Sequence, residues 1–167
     1  LKTTPDAMPA CLEKKNMDML ISHGVYTETE LRARYEIMLE NYIKTVKIEA
    51  LTMVDMAKKE ILPAVWRYAS DLAPSACHKT SVVPDLGCTG EKELIKRLSN
   101  TADQIAIKTD ELENALVKLK MISDVTLEAG RIKDDIIPKM NALRAFCDEA
   151  ETITAESYWP FPTYGEL

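Results

Sequence analysis

Apolar residues recur along most of the chain in steps of three and four positions, which is the spacing of a helix face. The first series follows a capping box formed by Thr27 and Glu30, and it predicts a long helix over about 28–72. Pro63 falls inside this helix. We expect a kink there and not an end, because burial of the apolar residues around it offsets the cost of the proline. The series consists of Leu31, Tyr35, Met38, Tyr42, Val46, Ala50, Met53, Ala57 and Ile61.

Two further apolar series predict long helices over about 91–123 and 125–157. Between them, Ser123 and Asp124 mark a reversal of the chain. A single helix in their place would be about 100 Å long and could not bury its apolar stripe without a partner chain. The segment 73–90 is rich in proline, glycine and small polar residues, so we expect a loop there.

The predicted fold is all-α. It is an elongated antiparallel bundle of three long helices, preceded by one or two short helices and followed by an extended tail of aromatic residues and prolines. The corresponding segments are 1–24, 25–157 and 158–167. If the helices run up, down and up, the tail lies near Trp66 and Tyr68, about 60 Å from the capping box.

Two short segments, 59–63 (KEILP) and 133–138 (KDDIIP), repeat a pattern of charged residues, isoleucine and proline. We interpret them as two buried kinks built from similar residues. An internal duplication is the alternative.

Composition limits the partners of the chain. Five glycines in 167 residues favour helices over sheets. The net charge of −6 disfavours nucleic acid or an anionic membrane as the main partner. No apolar run approaches the roughly 20 residues of a membrane helix, and no signal peptide is visible. Since the chain begins with Leu1, we expect it to be cut from a larger protein.

Residues with catalytic or metal-binding chemistry form no recognisable site. Cys77, His78 and Cys88 offer at most three ligands at no zinc spacing, and the two histidines leave no catalytic triad or di-iron motif. Residues 87–92 lack the spacing of a phosphate-binding loop. We therefore predict no catalytic, cofactor-binding or metal-binding residue. The four widely spaced cysteines predict free thiols in a cytoplasmic protein, with a Cys77–Cys88 disulfide as the alternative.

Four of the ten aromatic residues lie in the last ten positions, together with two prolines. Prolines fix an extended path at low entropic cost and aromatic rings bury large areas, so we predict a docking tail. A frayed terminus is the alternative. The candidate docking residues are Trp66, Tyr158, Trp159, Pro160, Phe161, Pro162 and Tyr164.

Four separated segments together resemble the C-terminal region of type III glutamine synthetase. They are 3–9 (TTPDAMP), 34–65 (RYEIMLENYIKTVKIEALTMVDMAKKEILPAV), 134–144 (DDIIPKMNALR) and 158–167 (YWPFPTYGEL). The resemblance covers nearly the whole chain and is weakest in 74–90 and the helix that follows.

The resemblance implies a parent enzyme that joins ammonia to glutamate with ATP and Mg²⁺ or Mn²⁺, and that assembles as a dodecamer of two stacked rings. The family's catalytic residues belong to an upstream region and match no position here, so we expect this fragment to be inactive alone. Segment 1–24 resembles the closing edge of the catalytic region, and the remainder resembles a helical extension.

We expect this extension to support subunit structure or assembly, with the catalytic region and neighbouring subunits as its partners. A free-standing helical adaptor and a regulatory, effector-binding extension are the alternatives.

Overall fold

The computed structural model describes residues 3–162, and all regular secondary structure among them is helical, which confirms the predicted all-α class. The elements in chain order are α1 (Thr4–Ala7), a 3₁₀ turn (Met8–Leu12), α2 (Lys14–Ser22), α3 (Glu28–Met56), a π turn (Ala57–Ile61), α4 (Leu62–Val82), α5 (Thr89–Leu119), α6 (Val125–Arg131), a second π turn (Ile132–Ile136) and α7 (Ile137–Ile153).

The short N-terminal helices end at the predicted glycine. Gly24 has a φ of 65°, a conformation that favours glycine. Its amide donates to the carbonyl of Ile21 at 3.0 Å, and the amide of Val25 donates to the carbonyl of Leu20 at 3.0 Å. These two bonds form a Schellman motif, which satisfies carbonyl groups at the end of α2.

The capping box at the start of α3 forms as predicted. The amide of Thr27 donates to Glu30 Oε2 at 2.8 Å, and the amide of Glu30 donates to Thr27 Oγ1 at 3.2 Å. The bond from the Thr27 amide also lowers the pKa of the Glu30 carboxyl, because it stabilises the charged form.

The helix passes Pro63 without ending, through a π turn that closes two residues before the proline. The second π turn precedes Pro138 in the same way. A proline has no amide hydrogen, and its ring clashes with the carbonyl four residues earlier. Those carbonyls belong to Lys59 and Asp134, and both residues lie within the π turns. Local rewinding therefore accommodates each proline.

The predicted loop 73–90 is too long. Helix α4 continues to Val82 and α5 begins at Thr89, so the connection covers only 83–88. Helix α4 continues through Pro74 despite the lost hydrogen bond and the crowding of its ring against the carbonyl of Ser70. Ala76, two residues on, is 7% exposed, and its burial favours the helical form of this segment.

The ends of the other two long helices also differ from the prediction. Helix α5 ends at Leu119 and α7 at Ile153, each about one turn earlier than expected. The helix breaks near Ser123 as predicted, and Asp124 caps the next helix, α6, by accepting a hydrogen bond from the amide of Leu127 at 2.8 Å. The reversal of direction predicted there stays a prediction.

The described chain divides into two compact units. Unit 1 comprises 3–51 and 114–138, and unit 2 comprises 52–113 and 139–162. In unit 1, α3 contributes Leu39, which is 1% exposed. The other buried apolar residues of unit 1 are Leu31, Ile43, Val46, Ala50, Ala115, Leu116, Leu119, Ala129, Ile132 and Ile136.

In unit 2, two ion pairs show that the first π turn and α4 run antiparallel to α5. Lys58 in the π turn pairs with Glu113 at 2.6 Å, and Lys79 near the end of α4 pairs with Glu91 at the start of α5. The buried apolar residues of unit 2 are Val54, Ala57, Ile61, Leu62, Ala64, Val65, Ala76, Leu98, Ala102, Ile105, Leu112, Leu143 and Ala150.

Among residues 3–162, no helix combines the length and the apolar character needed to cross a membrane. The boundaries of the predicted N-terminal segment, bundle and tail stay a prediction.

Candidate functional site

The segment after α7 turns back onto unit 2. The amide of Tyr158 donates to the carbonyl of Ala155 at 2.8 Å, and the amide of Trp159 donates to that of Glu156 at 3.1 Å. This turn places the Tyr158 ring 5.0 Å from the ring of Tyr68 on α4. The spacing lies within the 4.5–7 Å range of favourable aromatic pairs.

A hydrogen bond fixes Tyr158 further. Its hydroxyl donates to Oδ2 of Asp71 at 2.6 Å. This bond stabilises the neutral phenol, so it raises the pKa of Tyr158. Asp71 lies three residues after Tyr68, on the same face of α4. One face of the helix thus supplies both the ring and the acceptor.

The next two rings contact each other. Trp159 and Phe161 lie edge to face with centroids 6.2 Å apart, and both are half-buried. Pro160 and Pro162 are exposed. Tyr164, the remaining candidate of the tail, lies outside the described residues. A docking role of the tail stays a prediction.

Beside Tyr158 lies an open groove of about 620 Å³ in unit 2. Trp66 projects into it and is 52% exposed, and Arg67 Nε donates to the carbonyl of Pro63 at 3.3 Å. Tryptophan, tyrosine and arginine dominate the energy of protein interfaces, so the lining suits binding. The groove is lined by Pro63, Trp66, Arg67, Ser70, Asp71, Ser157 and Tyr158.

A smaller cavity of about 190 Å³ lies in unit 1. Lys133 and Asp6 pair across it at 2.6 Å, and the carboxylate raises the pKa of the lysine. The volume is below the range of about 300–1,000 Å³ typical of small-molecule pockets. The ion pair links the N-terminal segment to the second π turn. The lining residues are Pro5, Asp6, Tyr35, Leu39, Thr126, Ala129, Gly130, Lys133 and Asp134.

A family model described as the glutamine synthetase C-terminal domain matches residues 1–80. A glutamine synthetase of Butyrivibrio fibrisolvens is 32% identical over the whole chain, which spans 24% of that protein. The whole chain is thus similar to the C-terminal portion of glutamine synthetases. This confirms the resemblance found in the sequence.

Two more distant relatives show the same similarity. A type-3 glutamine synthetase of Dictyostelium discoideum is 27% identical over the whole chain, and a glutamine synthetase of Bacteroides fragilis is 25% identical over 98% of it. The chain spans about a quarter of the length of these relatives and matches their C-terminal portion.

The described side chains form no site for a divalent cation. Within residues 3–162, no group of three or more His, Cys, Asp or Glu residues could hold a metal ion. Cys77 and His78 lie in α4 and not in the predicted loop, which separates them from the loop residue Cys88. We therefore derive no chemical step through a metal or ATP in this chain.

The four cysteines are free thiols, as predicted, and the alternative Cys77–Cys88 disulfide is not formed. Burial raises the pKa of Cys147 to about 11. For Cys88, burial and a hydrogen bond with Glu91 also raise the pKa of the thiol. Raised pKa values keep these two thiols protonated at neutral pH, so neither has the thiolate that a nucleophile needs.

Sequence reasoning missed two groups of this site, Asp71 and Arg67. Both are charged residues on a face of α4 that the pattern marks as exposed. The signal that could have found Asp71 is its spacing of three from Tyr68, which puts a carboxylate next to an aromatic ring. No comparable signal marks Arg67.

Proposed function

We propose that this chain is the non-catalytic C-terminal helical region of a type III glutamine synthetase. Its role is to support the subunit structure or assembly of a cytoplasmic enzyme that makes glutamine from glutamate, ammonia and ATP. The observation that carries the proposal is the similarity of the whole chain to the C-terminal portion of much longer glutamine synthetases, one of them named type-3. A free-standing adaptor is disfavoured by the same observation.

The contacts of the charged side chains support a structural role. Lys58 pairs with Glu113 and Lys133 pairs with Asp6, each at 2.6 Å. Each pair joins two helical segments that are distant in sequence. Side chains with acid–base chemistry are thus used to hold helices together.

The arrangement we propose is the antiparallel three-helix bundle closed by the aromatic tail. The ion pairs that α5 forms with the first π turn and with α4 support the antiparallel order of the first two helices within unit 2. The contact of Tyr158 with Tyr68 supports a return of the chain to α4 after α7. The catalytic region of the same polypeptide and neighbouring subunits of a dodecamer are the proposed partners, and ATP with Mg²⁺ or Mn²⁺ is the proposed requirement of the parent alone.

The test compares the full-length parent with a version that ends at Gly24. We expect the truncated enzyme to lose its assembled mass in native mass spectrometry and to lose glutamine synthesis with it. Unchanged mass and activity would refute the assembly role. The isolated chain is expected to make no glutamine, and turnover by it would contradict the non-catalytic assignment.

A control separates an assembly role from general misfolding of the truncated enzyme. Leu143 is fully buried in unit 2, and Leu143→Ala in the full-length parent removes a large part of one core side chain while leaving the surfaces in place. We expect this variant to assemble at low temperature and to dissociate on heating earlier than the parent. If the variant and the parent dissociate at the same temperature, this result would argue against a structural contribution of the helical region.

A further inference from the structure

Helix α3 has an exposed face within unit 1 on which three large apolar side chains lie on either side of Asn41 and Lys44. Ile37, Ile48 and Leu51 are 54%, 65% and 55% exposed. With 3.6 residues per turn, the three side chains fall within about 60° of each other around the helix. They extend over about 21 Å of its length. We call these three residues the α3 stripe.

The stripe lies opposite the face that α3 buries in unit 1. Leu39, Ile43 and Val46 are 1%, 4% and 7% exposed, and their centre lies about 145° around the helix from that of the stripe. A helix at the surface of a completed domain normally has one apolar face and one polar face. In α3 the outer face, although it also carries Asn41 and Lys44, exposes three large apolar side chains that would be buried if a second partner packed there.

The exposed apolar residues concentrate in the unit that carries the N-terminal segment. Among the described residues, ten of the fifteen large exposed apolar side chains belong to unit 1, although it is the smaller unit. The ten are Met19, Ile21, Val25, Ile37, Met38, Ile48, Leu51, Val117, Met121 and Leu127.

The length of the relatives indicates what covers this face. The chain spans 24% of the Butyrivibrio fibrisolvens enzyme and matches the C-terminal portion of its relatives. If the proposed function holds, about three quarters of the parent precede the chain and connect to it through the N-terminal segment. That segment is part of unit 1. The missing polypeptide therefore connects to the unit with the excess of exposed apolar surface.

We propose that the α3 stripe is the surface on which the upstream region of the same polypeptide packs. The inference rests on the proposed function and adds to it the contact surface and the partner. A second copy of the chain and an unrelated protein are the competing occupants.

Thiol protection in the full-length parent tests the proposal. Ile48→Cys places a thiol in the stripe. Ile107→Cys is the matched control, because Ile107 is an isoleucine of a long helix in unit 2 and is 47% exposed. Both variants react with a maleimide, and peptide mass mapping distinguishes each new thiol from the native cysteines. Rates are compared between the native and the urea-unfolded parent.

We expect the thiol from Ile48→Cys to react at least tenfold more slowly in the native parent than in the unfolded one. The thiol from Ile107→Cys should stay within threefold of its unfolded rate. Equal rates at the two positions, whether both fast or both slow, would overturn the proposal. Leu51→Cys repeats the measurement if Ile48→Cys impairs folding.

Dissociation of the parent into folded single subunits distinguishes the possible partners that cover the α3 stripe. Protection that persists in single subunits supports packing within one polypeptide. Protection that disappears there assigns the stripe to a second copy and refutes the proposal. Glutamine synthesis by the unsubstituted parent is measured in parallel. If the proposed function is wrong, this activity is absent, independently of how strongly the thiol is protected.

Discussion

Replacing Ile105 tests whether the core of unit 2 is packed as the structure describes. Ile105 lies in α5, is fully buried, and accepts at its carbonyl a hydrogen bond of 2.7 Å from the buried hydroxyl of Thr109. Ile105→Ala removes three carbon atoms from this core. At about 0.8 kcal/mol for each buried carbon, the lost transfer free energy is roughly 2.4 kcal/mol.

The cavity left by Ile105→Ala adds to this loss. A void of about 60 Å³ at roughly 24 cal/mol per Å³ contributes about 1.4 kcal/mol more. We therefore expect the free energy of unfolding to fall by about 3–4 kcal/mol. Ile105→Val removes a single carbon and should cost about 1 kcal/mol.

Urea unfolding followed by circular dichroism measures both variants, with the slope of the transition expected to stay unchanged. Ile107→Ala is the matched control, because Ile107 lies two residues away on the same helix and is 47% exposed. It should change stability by less than about 0.5 kcal/mol. If Ile105→Ala costs less than about 1 kcal/mol, or no more than Ile107→Ala, the described core of unit 2 is wrong.

Three further predictions concern single positions. Gly24→Ala should destabilise the chain by about 1 kcal/mol in urea unfolding, because Gly24 has a positive φ. Gly130→Ala should stabilise the chain by about 0.5–1 kcal/mol, because Gly130 lies within α6 and has free space around it. Equal effects of the two substitutions would contradict the backbone conformation assigned to Gly24. The raised pKa of Tyr158 means that its hydrogen bond contributes fully below the ordinary tyrosine value and is lost as pH rises through the raised value. Tyr158→Phe should therefore lower the free energy of unfolding at pH 8. In strong alkali the variant and the unsubstituted chain should be equally stable, and a difference that persists there would contradict the hydrogen bond between Tyr158 and Asp71. At pH 8, Cys147 should resist alkylation while the exposed Cys77 reacts, as followed by mass spectrometry, and equal rates would show that Cys147 is not buried.

Local signals in the sequence predicted the boundaries that depend on local hydrogen bonds. The capping box of Thr27 and Glu30 and the terminating Gly24 need only neighbouring residues, and both form where the sequence placed them. The end of α4 was missed because Pro74 and the polar residues after it carry the local signature of a loop. Burial of Ala76 overrides that signature, and burial depends on residues far away in sequence.

The candidate site divides in the same way. The predicted helix lengths alone indicated that the end of the chain lies near Trp66 and Tyr68, and in the structure Tyr158 packs against Tyr68. The acceptor Asp71 was missed, since a carboxylate on an exposed helix face is a common arrangement and its spacing of three from Tyr68 is a weak signal. The same holds for the α3 stripe, because the pattern of apolar residues does not show which of two faces is covered.

The two π turns explain the repeated sequence pattern better than a duplication does. In each, the second residue is a lysine, Lys58 or Lys133, and each lysine pairs at 2.6 Å with a carboxylate of another helix. The last residue of each turn is a buried isoleucine, and a proline follows two positions later. The similarity ends at the proline: AVW follows Pro63 and KMN follows Pro138.

A duplication also predicts the buried pairs Val54 with Ala129 and Ala57 with Ile132, but it would keep the sequence similar beyond the proline, whereas a shared physical requirement needs only the turn itself. That requirement is visible in both places. The π turn accommodates the proline, the isoleucine anchors the turn in the core, and the lysine ties the rewound segment to a neighbouring helix. Similar residues therefore recur because each solves the same local problem.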